Sequence, residues 1–270
     1  MLKLTVLVEN NTFIDWYYWG EPGLSYYIEC DGKRILLDTG YSDAFIRNAN
    51  KMGIDLNNLD YVVISHGHDD HTGGLRYLLK ECNVSNTTFI SHPEIFYEKH
   101  HKGVEIGCPV RLSDIEKAFN KVILTKEPFN ITDSLLFLGH IDRINNYENR
   151  TPVGYLVKDG NKQDDYCEDD SALVYKNDEL NVITSCSHSG ICNIAEYAKK
   201  ITGINKINTI IGGFHLFNDN EQLRSTIKYL KENKIENLYP CHCVSLTCKH
   251  LMMNELDINE VGVGLSLERQ

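Results

Sequence analysis

The β-branched run Tyr61-Val-Val-Ile-Ser65 ends directly in His66-Gly67-His68-Asp69-Asp70-His71-Thr72-Gly73-Gly74, and this junction constrains the chain more than any other segment. Side chains at i and i+2 beyond a strand point the same way, so His66 and His68 can reach one cation. Asp70 and His71 follow where the backbone must turn into a helix, read from Gly73 to Glu81 with Leu75, Leu78 and Leu79 on one face, so they are aimed at a neighbouring point. A single loop histidine is ordinarily a surface or hydrogen-bonded group. His66, His68, Asp70 and His71 within six positions, after a buried strand and before Gly-Gly, instead predict one compact part of a two-metal site. Imidazole and carboxylate suit zinc and equally manganese, iron or nickel, so donor type alone does not name the ion.

The rest of the sequence places further histidines at comparable points. Three apolar strands, Leu180 to Ser185, Ile207 to Ile211 and Asn237 to Tyr239, lead to His188, His215 and His242. The helices expected between them run from Ile194 to Thr202, with Gly203 as C-cap, and from Glu221 to Lys231, with Leu223, Ile227 and Leu230 in one stripe. Strand-histidine-helix units of this kind set ligands on loops at one edge of a sheet. Nearer the N-terminus, residues 2 to 8 read as a strand, and residues 23 to 38 as a hairpin turning at Asp31-Gly32. A helix is expected to start at the capping pattern Ser113-x-x-Glu116, with strands near 121 to 125 and 135 to 138. The polar stretch around 145–170 reads as a loop excursion. With no Pro-, Gly- or Ser-rich linker, residues 1–270 read as a single α/β domain.

Charge and composition narrow the function. With 27 basic against 38 acidic residues the net charge is −11, which argues against a protein that tracks a phosphate backbone. The N-terminus lacks the long apolar core of a secretory leader, and no apolar run approaches the roughly 18 to 20 residues of a membrane helix. Nine cysteines in a chain too long to need disulfide staples suit a reducing, cytoplasmic setting. Neither a Gly-x-Ser-x-Gly elbow nor a nucleotide-type Gly-rich loop is present, so a serine hydrolase or dinucleotide enzyme finds no support.

The segment Ser65–Gly74 matches the HxHxDH signature of the metallo-β-lactamase superfamily, and Leu36-Leu-Asp38-Thr-Gly40 matches the preceding strand-Asp-x-Gly element. Val8-Glu-Asn10, Gly23-Leu-Ser25, Ser185-Cys-Ser-His188, Gly212-Gly-Phe-His215 and Pro240-Cys-His-Cys243 further resemble the branch of archaeal and bacterial metal-dependent hydrolases that includes the dihydropterin-ribofuranosylaminobenzene phosphate synthase. The resemblance runs from the N-terminus to about Cys243. It implies an αββα four-layer sandwich and two divalent ions, zinc first among them. His66 and His68 with His188 would hold the first ion, and Asp70 and His71 with His242 the second. Asp38 would stand behind a ligand and accept its N–H, or simply cap the turn before Gly40.

One departure stands out. Many relatives end a strand in Gly-Asp, whose carboxylate bridges the metals, whereas this chain has Thr184-Ser185-Cys186 there. Asp169 or Asp170, the Cys186 thiolate or solvent could take that role. His215 reads as a metal or substrate contact, or as a proton donor. Cys241, Cys243 and Cys248 suggest a separate metal site but are favoured as small buried residues. His92 is expected to pack or hydrogen-bond, and His100 and His101 to lie solvated in a helix-like segment. Trp16-Tyr-Tyr-Trp19 either walls an apolar substrate or packs on the first hairpin. Arg143 and Glu148 read as a surface ion pair before substrate contacts.

The expected activity is hydrolysis of a small ester, lactone or phosphoester by water activated between two metals, with Asp70 orienting it. The alternative is a transferase joining a pterin diphosphate to a ribosylaminobenzene phosphate. A di-iron oxygen or nitric oxide reductase is disfavoured, since those typically carry Glu where His68 stands and a flavin domain besides. A non-catalytic metal-binding or sensing protein is a further class. The expected partner is a small molecule, with neither nucleic acid nor membrane, and the oligomeric state is open.

Overall fold

Parallel strands cannot be joined by tight turns and need crossovers, and the helices of this chain fall where such crossovers are required. In the computed structural model, which describes residues 1–269, the chain begins β1 (Leu2–Val8), β2 (Ser25–Cys30), β3 (Lys33–Leu37), α1 (Ala44–Met52), β4 (Tyr61–Ile64), α2 (Asp69–Thr72), α3 (Leu75–Glu81) and β5 (Thr88–Ser91). It continues with β6 (Glu98–His101), β7 (Val104–Glu105), α4 (Leu112–Ala118), β8 (Lys121–Leu124), β9 (Phe129–Asn130), β10 (Leu135–Phe137), β11 (Gly154–Lys158) and β12 (Asn161–Asp165). The last part comprises β13 (Ala172–Lys176), β14 (Leu180–Thr184), α5 (Ile191–Thr202), β15 (Ile207–Gly213), α6 (Glu221–Glu232), β16 (Asn237–Cys241), α7 (Leu246–Met253) and β17 (Ser266–Arg269).

These elements gather into two compact units. The first holds Met1–Lys126, Val153–Asp165 and the stretch from Val261; the second holds Glu127–Pro152 and Tyr166–Glu260.

The first unit contains a seven-stranded sheet in the order β17-β1-β2-β3-β4-β5-β8. Strands β3, β4, β5 and β8 run parallel, joined through α1, through α2 and α3, and through α4. Val62, Val63 and Ile64 are fully buried, as β-branched residues of a central strand should be. Phe45 and Ala49 of α1, Leu75 and Leu78 of α3 and Ile115 of α4 recur at helical spacing. They share one apolar cluster with Leu36, Val62, Ile64 and Phe89 of the sheet. Asp31 and Gly32 take the positive φ the hairpin requires, 50° and 74°. Helix α4 starts one residue before Ser113, with Arg111 at its N-cap position and no side-chain cap, so the Ser113 capping pattern is not used.

A second sheet of this unit, β12-β11-β6-β7, occupies much of the stretch read as loop. Its hairpin turns at Asp159 and Gly160, with φ of 51° and 76°. Strand β12, Asn-Lys-Gln-Asp-Asp, is mostly exposed and has no apolar alternation to read; its backbone ladder with β11 holds it. The same ladder explains why 98–101 is a strand and not helix-like: β6 pairs with β11, and the His100 ring stacks on Tyr155 at 4.8 Å.

The second unit is built on a six-stranded sheet, β16-β15-β14-β13-β10-β9. Strands β14, β15 and β16 are parallel and are joined by α5 and α6. Ile194, Ala195 and Ala198 of α5, Leu223 and Leu230 of α6, and Cys248 and Met252 of α7 form its core with Val174, Val182 and Ile210. Gly203 closes α5 in the left-handed conformation, as expected. Among the described residues no helix is long and apolar enough to cross a membrane.

Candidate metal centre

In the first unit the parallel pairing of β3 and β4 decides where the ligands stand. The Asp38 amide donates to the Val63 carbonyl at 2.9 Å, which sets the end of β3 beside the end of β4. Asp38 is fully buried, with φ of 56°, a conformation Asp tolerates better than most residues. Its Oδ1 accepts from the Ser65 amide at 2.8 Å, and its Oδ2 accepts from the Ser65 hydroxyl at 2.6 Å. Oδ2 also lies 2.8 Å from Nδ1 of His71.

These contacts fix two tautomers. A carboxylate only accepts, so the His71 proton sits on Nδ1 and Nε2 is left with its lone pair. The Ser65 hydroxyl has given its hydrogen to Asp38, so at 2.9 Å it accepts from Nδ1 of His66. Nε2 of His66 is therefore a lone-pair donor as well. One carboxylate thus prepares two imidazoles, one directly and one through a serine. The His66 ring centroid is 4.3 Å from that of His71 and 4.8 Å from that of His68. Asp70 Oδ2 lies 3.6 Å from Nε2 of His71.

Local backbone geometry holds these groups in place. A Cβ on Gly67 would come within 2.3 Å of the Ile95 carbonyl oxygen, and one on Gly74 within 2.2 Å of that of Thr39. Both glycines therefore permit close passage of another backbone segment. Thr39 donates twice to the His71 carbonyl, from its amide at 2.8 Å and its hydroxyl at 2.9 Å. A cleft of about 420 Å³ opens beside this cluster, with Tyr41, Ile106 and Val153 as walls and His68, Asp70 and His101 among its polar groups. Burial, and then the neighbouring Asp70 carboxylate, pushes the Asp69 carboxyl above the usual range.

The second unit arrays His188, His215 and His242 after its parallel strands, as the repeated strand-histidine pattern anticipates. Ser187, His215 and His242 all adopt positive φ, 56°, 50° and 51°, so a left-handed residue follows within three positions of each strand end. The His188 and His215 rings lie 4.4 Å apart. Cys243 ties the loops together: its thiol accepts from the His215 amide and donates to the Cys186 carbonyl, both at 3.3 Å. Cys241 and Cys248 are fully buried, Cys248 in the core, which matches their reading as small buried residues. Cys186 is buried two residues past the end of β14.

Asp170 anchors the His188 loop, since its Oδ2 accepts from the Ser189 amide at 2.8 Å and the Ser189 hydroxyl at 2.5 Å. Burial pushes its carboxyl above the usual range. Asn149 donates to the His188 carbonyl at 2.6 Å. Glu148 is buried and caps α5, accepting from the amides of Cys192 at 3.0 Å and Asn193 at 2.9 Å. A surface ion pair with Arg143 is therefore not formed; Arg143 pairs with Glu168 and donates to the carbonyls of Tyr166 and Cys167.

Other candidates settle into structural roles. His92 is buried and accepts from the Glu94 amide at 3.1 Å. Among the described residues the aromatic loop meets α1 and not the first hairpin, with Arg47 over Trp19 and Lys51 near the rings of Tyr17, Tyr18 and Trp19, while Trp16, Tyr17 and Trp19 stay exposed. Lys99 and Asp165 were not anticipated. Both are 1% exposed, with Nζ 3.2 Å from Oδ2, and Oδ2 in turn lies 3.7 Å from Nε2 of His68. Their separation of 66 positions leaves no local pattern to read.

The donors of the first unit suit a divalent first-row ion. Ligand-type atoms of Asp38, His66 and His71 lie within 4.8 Å of one another, with Asp38 engaged by hydrogen bonds behind the two rings. The two imidazoles are buried and held in the tautomer that directs Nε2 outward, the arrangement in which a carboxylate behind a ligand histidine orients it.

Fold and donor set together define a class: the chain belongs to the metallo-beta-lactamase superfamily, whose family model matches residues 18–157. More particularly, it is 32% identical over 269 residues to the 7,8-dihydropterin-6-methyl-4-(beta-D-ribofuranosyl)-aminobenzene-5'-phosphate synthase of Methanocaldococcus jannaschii, covering 94% of this chain and 91% of the synthase. Among solved structures, Tm1679, a metal-dependent hydrolase of the beta-lactamase superfamily, matches with a TM-score of 0.85 and 28% identity over 100% of this chain and 99% of that one. The metallo-beta-lactamase fold protein YhfI of Bacillus subtilis matches with a TM-score of 0.61 and 14% identity over 98% of each chain, a likeness of fold alone. The expected fold and family are thereby met.

Proposed function

We propose that this chain is a metal-dependent hydrolase of a small ester, lactone or phosphoester, with His66, His68 and His188 holding one divalent ion and Asp70, His71 and His242 a second. The observation that carries the reading is the Asp38 contact set, in which a buried carboxylate and a serine hold the Nδ1 side of two imidazoles. Such an expense of buried polar groups has no packing rationale of its own. Two divalent ions, when bound, would lower the pKa of a shared water toward neutrality and polarise a carbonyl or phosphoryl oxygen. Zinc is the expected ion, with manganese, iron or nickel compatible with the same donors.

The residues of the chain then divide the remaining tasks. Asp70 orients the attacking water and accepts its hydrogen bond. His215 supplies a proton to the leaving oxygen. Ser189 engages only Oδ2 of Asp170, so Asp169, Asp170, the Cys186 thiol or solvent are the candidates for the place that a strand-end aspartate takes in many relatives. The cleft beside His68 and Asp70 is of small-molecule size. The proposed setting is the cytoplasm, with a small molecule and no nucleic acid as partner.

A second reading, a synthase joining a pterin diphosphate to a ribosylaminobenzene phosphate, is supported by the 32% identity to the Methanocaldococcus jannaschii enzyme. The same ions would assist departure of diphosphate. Elemental analysis of protein purified without added metal, followed by assays on phosphodiester, lactone and thioester substrates, tests the first reading; loss of turnover in His68→Ala supports it. Pyrophosphate release that requires both synthase substrates together would favour the second.

A further inference from the structure

The hairpin β11–β12 delivers one acidic group to the histidine cluster. Strand β11 enters the sheet at Gly154, where a Cβ would stand 2.0 Å from the His100 carbonyl oxygen, and Gly154 is paired with Asp165. Asp165 closes β12, is 1% exposed, and faces Lys99 of β6, also 1% exposed, at 3.2 Å from Oδ2 and 3.4 Å from Oδ1. A buried ion pair is costly relative to apolar residues of the same size, so its place in the fold calls for a reason. That reason lies on the other side of Asp165, where Oδ2 is 3.7 Å from Nε2 of His68.

We infer that Asp165, balanced by Lys99, is a positioning residue for His68. It receives the Nε2 side of the ring after a small rotation, so that the proton stays on Nε2 and Nδ1 is presented as the ligand atom. This rests on the metal-centre reading above for its purpose, though not for its geometry. His68 would then differ from His66 and His71, which keep their proton on Nδ1. A neutral imidazole carries one N–H and one lone pair, and which nitrogen binds is set by the partner of the other. Lys99 supplies the charge that lets a carboxylate stand in this interior. The hairpin thereby has a task at the site, although no residue of it falls in the histidine motif.

The test uses the full chain and zinc. In metal-free protein, long-range nitrogen-proton spectra of the histidine rings should show His68 as the Nε2–H tautomer; an Nδ1–H ring would overturn the inference without any variant. The double variant Lys99→Met/Asp165→Leu removes the pair while filling its volume. It should keep the wild-type circular dichroism, bind zinc about 10- to 100-fold more weakly in competition with a chelator, and lose the single His68 tautomer. Its zinc stoichiometry at saturation should be unchanged. Asp165→Glu, which keeps a carboxylate facing Lys99, should recover most of the affinity. Zinc affinity of the double variant equal to wild type would overturn the role, and so would a lower stoichiometry at saturation, which would make Asp165 itself a ligand. His68→Ala serves as the separate control: zinc binding unaltered in that variant would instead sink the metal-centre reading.

Discussion

Oδ2 of Asp38 lies 2.8 Å from Nδ1 of His71 and accepts from the Ser65 hydroxyl at 2.6 Å, while that hydroxyl lies 2.9 Å from Nδ1 of His66. The carboxylate is fully buried, so its interactions are unscreened and its loss is uncompensated. Asp38→Asn should leave one N–H facing another and release both tautomers. Metal affinity is expected to fall about 10- to 100-fold, read by chelator competition. Stability should fall by roughly 1–3 kcal/mol from the unsatisfied buried donors, read by urea unfolding.

Gly67 carries a purely steric demand. Its added Cβ would lie 2.3 Å from the Ile95 carbonyl oxygen, whereas at Gly103 nothing stands within 4 Å. Gly67→Ala should cost roughly 1–3 kcal/mol or more through overpacking, and should displace the rings on either side. Gly103→Ala, penalised only for its positive φ, should cost about 1–2 kcal/mol. Denaturant midpoints and metal affinity measured together separate the two, since only the Gly67 variant should lose both.

Glu148 links stability to pH. Burial raises its carboxyl above the ordinary Glu value, against the lowering effect of the Cys192 and Asn193 amides and the Asn145 side chain. A carboxyl whose folded value is raised favours folding in its protonated form. Its contribution is fully present below the unfolded value and is lost as pH rises through the folded one. Glu148→Gln, which cannot ionise, should therefore lack that part of the slope. The stability advantage of wild type over the variant should shrink from pH 4 toward pH 7. Unfolding at several pH values checks the sign, and an advantage that grows with pH would contradict it.

Bound metal should stabilise the fold by mass action. At an ion concentration of about 100 times the dissociation constant the gain is roughly 2.7 kcal/mol, seen as a rise in Tm that chelator reverses. His71→Ala should abolish most of that rise, and should also lower the metal-free Tm because it empties a buried site and takes a partner from Asp38. If metal leaves the Tm of wild type unchanged, the histidine cluster does not hold an ion in solution.

The His66–His71 motif was legible because its donor-type residues fall within six positions, and the strand before and glycines after it have their own local signatures. The loop histidines 188, 215 and 242 were visible through a repeated strand pattern, since parallel strands with helical crossovers must end on the same side. Glu148 was misread because charge in a polar stretch suggests solvent, whereas a helix N-terminus with open amides draws a carboxylate inward. Residues 98 to 101 were misread because β6 and β12 carry no apolar alternation; each is a strand through a backbone ladder whose partner lies elsewhere in the chain.

Chain order by itself determined the family, the donor types and the segment most of them occupy, because those depend on residue identity at short spacing. Tertiary structure decided which nitrogen of each ring is available. The His66 and His71 tautomers follow from Asp38, which reaches His71 across 33 positions from the end of another strand. Contacts of that kind come from sheet register and burial, which no local pattern of side chains encodes.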